Sequence, residues 1–482
     1  MMSDAPQDTS RLTNAGLSVL LAGMFLPQID FSIINVALDS VARSLHATEY
    51  ELELMVAVYG VAFAVMLAMG GRLGDMYGRR RLFNTGVLLF GISSLLCGIA
   101  PSISLLLLAR TLQGVAAALL VPQILATIHV CLKGHSHSRA IGLYSSIGGL
   151  SFIIGQVLGG FLVHANIAGS EWRSIFLINL PVCAAVLLLS SRHIPETRRE
   201  NPPGIDGPGT LLLALLIISI LLPVALGPSM HWNWLCLMAL ACAIPLAIAL
   251  WKTEIRQERR GILPLLPPSL LRLPTVRFGF FTAILFFACW SGFMFVLALT
   301  LQAGAGLTPL QSGNSFIALG VFFFVGSLLS TRVVARIGLL PTLLLGCTMV
   351  LPGLLILHWV LQQVWPAPNL LSLTTPSLFI GIGQAFIVGA FYRIGMSQIP
   401  ADQAGSGSAM LSTIQQASMG FGPALLGVVF SQSLLQGHDY LHAFNASLQL
   451  EMVLLGILMA MSIWYFLSTR NRTQLAVQSN TR

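Results

Sequence analysis

Apolar runs of about twenty residues, broken by short polar stretches, repeat along nearly the whole chain. A helix rising ~1.5 Å per residue needs about 20 apolar residues to cross a bilayer core. Each run therefore predicts a membrane-spanning helix. Fourteen fall near 14–38, 52–71, 82–100, 104–128, 139–163, 172–191, 209–228, 232–251, 277–302, 311–331, 339–361, 372–396, 405–431 and 447–467. The predicted fold is an all-α membrane protein with both termini cytoplasmic. A tail over 1–13 precedes a six-helix bundle over 14–191, and a linker over 192–208 leads to two additional central helices over 209–251. A second linker over 252–276, a second six-helix bundle over 277–467 and a tail over 468–482 complete it.

Composition agrees: 55% of the 482 residues are hydrophobic and 9% charged, against ~25% charged in soluble domains. The net charge of +8 raises the question of nucleic acid, and the positions of the basic residues answer it. With the amino terminus inside, 21 of the 25 Lys and Arg fall in cytoplasmic loops, tails or span edges, from Arg11 through Arg79, Arg80, Arg81, Arg198 and Arg199 to Arg470, Arg472 and Arg482. Arg43 and Arg173 fall outside, and Arg110 and Arg393 lie within spans. This is the asymmetry that orients membrane proteins, so no nucleic-acid partner is expected. Span 1 is too long for a cleavable leader and is expected to serve as the insertion signal. Seven cysteines at no paired spacing read as free thiols. Cys131, His135 and His137 read as a solvated basic loop, so no metal or cofactor is expected. No nucleophile, base and ligand set converges at one depth, which argues against an enzyme.

The segment Gly71-Arg72-Leu73-Gly74-Asp75-Met76-Tyr77-Gly78-Arg79-Arg80-Arg81 reads as a tight basic turn keeping one carboxylate. It resembles the signature loop between spans 2 and 3 of the major facilitator superfamily. Further segments extend the likeness to that family's fourteen-span drug–proton antiporter branch: Ile29 to Leu38, Leu106 to Arg110 with Gln113, Gly114 and Ala118, Trp172 to Pro181, and Leu301-Gln302 with Thr308 to Gly313. Two positions depart from the pattern: Gln156 replaces a proline of the span 5 motif, and Asp39 stands where the span 1 motif ends in proline. Weak internal echoes fit a duplicated half. Aligning Gly78 with Gly338 sets Arg72 over Arg332 and Asp75 over Ala335, and Gly155 to Gly160 echoes Gly422 to Gly427.

The resemblance implies alternating-access export of small amphipathic or lipophilic compounds, cationic ones being expected, in exchange for protons. The expected partners are a small-molecule substrate, protons and the lipid bilayer, in a monomer of the bacterial inner membrane. A proton-coupled uptake symporter, or an exporter of an anionic or zwitterionic metabolite, is the alternative.

Asp30 reads as the carboxylate deep within a span, with Glu451 placed near the outer end of span 14. A charge in the membrane costs at least ~2.5 kcal/mol unless paired, hydrated or protonated. Desolvation disfavours the charged carboxylate, as a proton carrier requires. Arg110 on span 4 lies within about one helical turn of Asp30 in depth, so the two are expected to form the proton-coupling pair; a fixed structural strut is the other reading. The resemblance makes Gly71, Arg72, Asp75, Gly78 and Arg79 a cytoplasmic gate. Gly155, Gln156, Gly159 and Gly160 on span 5 are expected to allow close helix approach and rocking. Candidate substrate contacts are Gln28, Asn35, Tyr59, Gln113, Trp290, Gln302, Gln384 and Arg393, which either line a wet cavity or bond neighbouring helices. Aromatic faces on spans 9 and 10 suit lipophilic cations. Arg393 is expected to snorkel to the headgroups; facing the cavity, it would favour an anion or zwitterion.

Overall fold

The computed structural model describes residues 12–198, 204, 206–227, 230–261, 264–400 and 404–480. Arg11, Arg199 and Arg482, with most of the amino-terminal tail, lie outside the described residues, as do the side chains of Arg470 and Arg472. Helix is the regular structure throughout the described residues. In lipid the backbone must satisfy its own polar groups, and a helix does so within one segment. Among the described residues, fourteen helices are long and apolar enough to cross. The first six are α1 (Asn14–Val36), α2 (Tyr50–Tyr77), α3 (Arg79–Gly98), α4 (Ile103–Cys131), α5 (Arg139–Ala165) and α6 (Glu171–His193). Then come α7 (Gly207–Leu226) and α8 (Trp234–Arg259). The last six are α9 (Pro274–Gly304), α10 (Pro309–Ile337), α11 (Leu339–Val364), α12 (Leu370–Met396), α13 (Gly407–Leu435) and α14 (Tyr440–Ser468).

Helices start where side chains satisfy free amides. Thr48 and Glu51 close a capping box ahead of α2, and Asn369 and Ser372 do the same for α12. The predicted basic turn is shorter than expected: helix persists through Tyr77, and Gly78 alone, at φ +104°, makes the reversal into α3. Gly338, at φ +91°, repeats this between α10 and α11, so the echo in sequence is one in backbone too. Only glycine takes such angles without strain. Helices also overrun the apolar windows elsewhere. The α8 helix continues to Arg259, inside the expected second linker, and the α14 helix runs from Tyr440 to Asn480, through the expected tail. Continuing a hydrogen-bonded helix into polar surroundings is easier than ending it.

Helices α2, α3 and α4 pack together, as do α10, α11 and α12, while α1 lies on α5 and α9 on α13. Two seams join the halves, α5 against the start of α10 and α2 against α13. The additional helix α7 lies along the second seam, where Leu213, Ile217 and Leu221 pack with Ala64 and Ala68 of α2. Beyond it α8 is peripheral, presenting Trp234, Leu237, Met238, Ile244 and Ile248 outward, as expected of a lipid-facing helix.

Candidate functional site

At the centre of the first half, Asp30 on α1 and Arg110 on α4 are both fully buried and form an ion pair. Three amide contacts fix it. Gln113, one turn past Arg110, donates to Asp30 Oδ1 at 2.8 Å and accepts from Arg110 at 2.9 Å; Asn179 of α6 donates to the same Oδ1 at 3.1 Å. Ser94 of α3 accepts from both amides. The Arg110 guanidinium lies 4.2 Å over the ring of Tyr59 and 5.7 Å from that of Phe176, where a cation is attracted to the π face. The Tyr59 hydroxyl donates to the Pro27 carbonyl at 3.0 Å. Four helices thus converge on one carboxylate. The pairing of Asp30 with Arg110 follows from matched depth; Asn179 and Ser94 were not singled out, although Asn179 is a polar position inside the Trp172 to Pro181 segment.

The loop after α2 forms a second charged group. Asp75 and Arg79 pair at 2.5 Å across one helical turn. Arg79 also donates to Thr197 at 3.3 Å, Arg72 donates to the Gly204 carbonyl at 2.9 Å, and Glu196 accepts from the Arg80 amide at 3.1 Å. These contacts tie the loop to the segment following α6. Gly71 faces Pro122 of α4 and Ala409 of α13 at ordinary contact distance.

The glycines of α5 mark two crossings. A methyl group at Gly155 would stand 2.8 Å from the Ile29 carbonyl oxygen, and one at Gly159 2.8 Å from Ile33 Cγ1, so both seat α1. Gly160 faces the Pro309 carbonyl and Gly313 across the seam between halves. Beside it Gln156 is fully buried with neither side-chain atom partnered.

The seam between α5 and α10 is closed at that end and open at the other. A cleft of about 750 Å³ lies there, walled by α4, α5, α10 and α12 and reaching Arg139, Ala335 and Ser397 near the basic ends of their helices. Its inner end adjoins a small chamber lined by Gln28, Trp290, Phe287, Gln415 and Gln416, and Tyr144, Val388 and Tyr392 border both. Trp290 stacks on Phe323 at 5.6 Å. Of the eight candidate substrate contacts, Gln28 and Trp290 line the chamber and Arg393 the cleft. Tyr59 and Gln113 belong to the ion-pair cluster. Asn35 lies buried in the 3-10 turn ending α1, Gln302 donates to Ser312 at 3.4 Å, and Gln384 is buried on α12; these three line neither space.

Two expectations are corrected. Arg393 turns into the cleft and not out to the headgroups: Nη2 approaches Thr331 at 3.5 Å and faces Gly142 of α5, where a methyl group would meet it at an ordinary 3.7 Å. Glu451 is not near a helix end. Because α14 begins at Tyr440, its carboxylate sits about 16 Å along the helix, 1% exposed, with Oε2 unpartnered. Tyr144, Tyr392, His129 and Arg139 complete the cleft without having been singled out as site residues.

Fourteen apolar helices around a cleft that opens at one end define a multi-pass membrane transporter. The chain belongs to the Major Facilitator Superfamily, whose sequence model matches residues 20–423. It is 32% identical over 417 residues to the "Probable actinorhodin transporter" of Streptomyces coelicolor, covering 86% of this chain and 72% of that one. It is likewise 32% identical to the "Puromycin resistance protein pur8" of Streptomyces alboniger, over 86% of this chain and 81% of that one. Among solved structures, an auto-inhibited POT family peptide transporter superposes with a TM-score of 0.63 at 16% identity, over 94% of this chain and 96% of that one. That likeness bears on the fold alone.

Proposed function

We propose that this protein exports small amphipathic organic compounds across the bacterial inner membrane in exchange for protons, as a monomer, by alternating access. The names of the relatives, an antibiotic transporter and a drug-resistance protein, support export of an organic compound. The basic loops favour a cytoplasmic position for the end at which the cleft opens and for both termini.

The observation that carries the proton half of the reading is the Asp30–Arg110 cluster. While Arg110 is beside it Asp30 is held as the carboxylate; withdrawing the cation would leave a bare charge in a dry site, which a proton neutralises. A cycle in which α1 and α4 shift against each other would therefore take up and release a proton. In this scheme Asp75, Arg79 and Arg72 set the balance between the two states, and Gly155, Gly159 and Gly160 are the close contacts on which the halves rock.

The test is substrate-driven proton release from proteoliposomes, read with an entrapped pH dye over a panel of anionic and cationic aromatic compounds. Wild type is expected to couple. Asp30→Asn is expected to bind substrate and release no protons; undiminished coupling would remove Asp30 from the mechanism.

A further inference from the structure

We infer that the exported compound is an aromatic acid, its anionic group held by Arg393 in the cleft between α5, α10 and α12 and its ring body against Tyr144, Tyr392 and Phe323. This rests on the exporter reading and adds to it the charge of the cargo, which the cation expectation places on the other side of zero.

The lining decides the sign. Arg139 and Arg393 both border the cleft, and among the described residues neither Asp nor Glu lines it or the adjoining chamber. Asp30 is sealed in its own cluster, held by Arg110, Gln113 and Asn179. Among the described residues, a lipophilic cation entering this cleft would meet no carboxylate and two guanidiniums, in a space whose low-dielectric walls focus the field of one sign. The His129–His137 pair, in contact at 2.6 Å, adds no opposing charge. Burial pushes the His137 imidazole below its ordinary value, so the fixed positive charge rests on the arginines.

Arg393 is placed to bind. It is half-buried and points across the seam toward Gly142. Among the described residues no carboxylate lies within 4.0 Å of it, and Thr331, at 3.5 Å, is a neutral and marginal acceptor. A guanidinium fork matches a carboxylate in a way that one hydroxyl does not. Ser330 also lines the cleft; its hydroxyl is buried against Gly389 of α12 and has no protein partner. Tyr144 and Tyr392, edge to face at 6.3 Å, and Phe323, stacked on Trp290, form an aromatic wall deeper in the cleft. The space, about 750 Å³, falls within the range of ligand sites (~300–1,000 Å³).

The experiment uses a matched pair on one ring system, 2-naphthoate and 2-naphthyltrimethylammonium. Both are titrated onto the detergent-purified full chain by equilibrium dialysis, and both are tested for protonophore-sensitive accumulation in energised everted vesicles. Naphthoate is expected to bind and accumulate in preference to the ammonium compound. Arg393→Gln is expected to weaken naphthoate binding roughly 10- to 100-fold, the loss of one charged hydrogen-bonded contact, while Arg393→Lys restores part of it and the melting temperature is kept. Preferred binding of the ammonium compound, or naphthoate binding indifferent to Arg393→Gln, overturns the inference, and accumulation of the ammonium compound alone would do so while leaving the exporter reading intact. Naphthoate binding that depends on Arg393, without accumulation of either compound, would uphold the assignment of charge and reject export.

Discussion

Each half of the molecule buries a carboxylate well inside a helix, and the two are treated in opposite ways. Asp30 is surrounded: Arg110 pairs with it, Gln113 and Asn179 donate to it, and Tyr59 covers the cation. Glu451 is equally dry but has no ion-pair partner among the described residues, and one oxygen goes without a hydrogen bond. Its titratable neighbour on α9 is Cys289; on α11, His358 is taken by Asn445 at 2.8 Å. A buried charge costs several kcal/mol unless paired. The first environment is thus built to hold a charge and to feel its loss, whereas the second has no means of holding one. Two acids alike in burial differ in whether protonation changes anything around them.

The largest expected effect comes from breaking the first environment. Arg110→Gln leaves Asp30 buried without its cation and is expected to cost about 3–5 kcal/mol, read as a loss of denaturant or thermal resistance in detergent. The double variant Asp30→Asn with Arg110→Gln removes both charges and is expected to recover at least half of that loss, because amides at both positions can bond each other and Gln113. Strict additivity of the two single losses would mean that the pair is not coupled, and the contrast with Glu451 would collapse.

A second difference between the halves lies at the seams, and its effect is intermediate. Gly160 and Gly427 occupy matching places in the two fifth spans. A methyl at Gly160 would press on the Pro309 carbonyl and come within 3.2 Å of Gly313, whereas one at Gly427 would meet Phe295 at an ordinary 3.6 Å. Overpacking costs ~1–3 kcal/mol, and at Gly160 it falls on the contact closing that end between the halves. Gly160→Ala is expected to shift the population roughly 5- to 100-fold toward forms open there, measured as reactivity of a cysteine placed near the start of α10. Gly427→Ala is expected to leave that reactivity within about twofold.

Most of the fold was legible because a bilayer narrows the choices: backbone must be helical and each helix about one membrane thick. Asp30 and Arg110 could be matched for a related reason, since depth within a span follows from counting residues. What counting misses is rotation and helix ends. Helices apolar on every side carry little periodic signal for the direction they face, so Tyr144, Tyr392 and the inward turn of Arg393 emerge only when α5 meets α10 and α12. Glu451 was misplaced for the other reason. His442 and Asn445 make the first turns of α14 look like loop, and the helix starts seven residues before its apolar window.

The smallest expected effect is also the sharpest test of the comparison. Glu451→Gln keeps shape and hydrogen-bonding atoms while removing the possibility of charge. If Glu451 is an acid with no counter-ion, an amide replaces it at almost no cost, because burying a neutral polar group in place of another changes little. The variant is expected to melt within about 1 kcal/mol of wild type, in either direction, and to transport within about twofold. Asp30→Asn, the same chemical change in the other half, is expected to strand Arg110 as a buried cation and to lose proton coupling altogether. Should Glu451→Gln destabilise the protein as much as Arg110→Gln does, the carboxylate in the second half must be charged and paired in a conformation other than this one. The two halves would then share one proton-handling design.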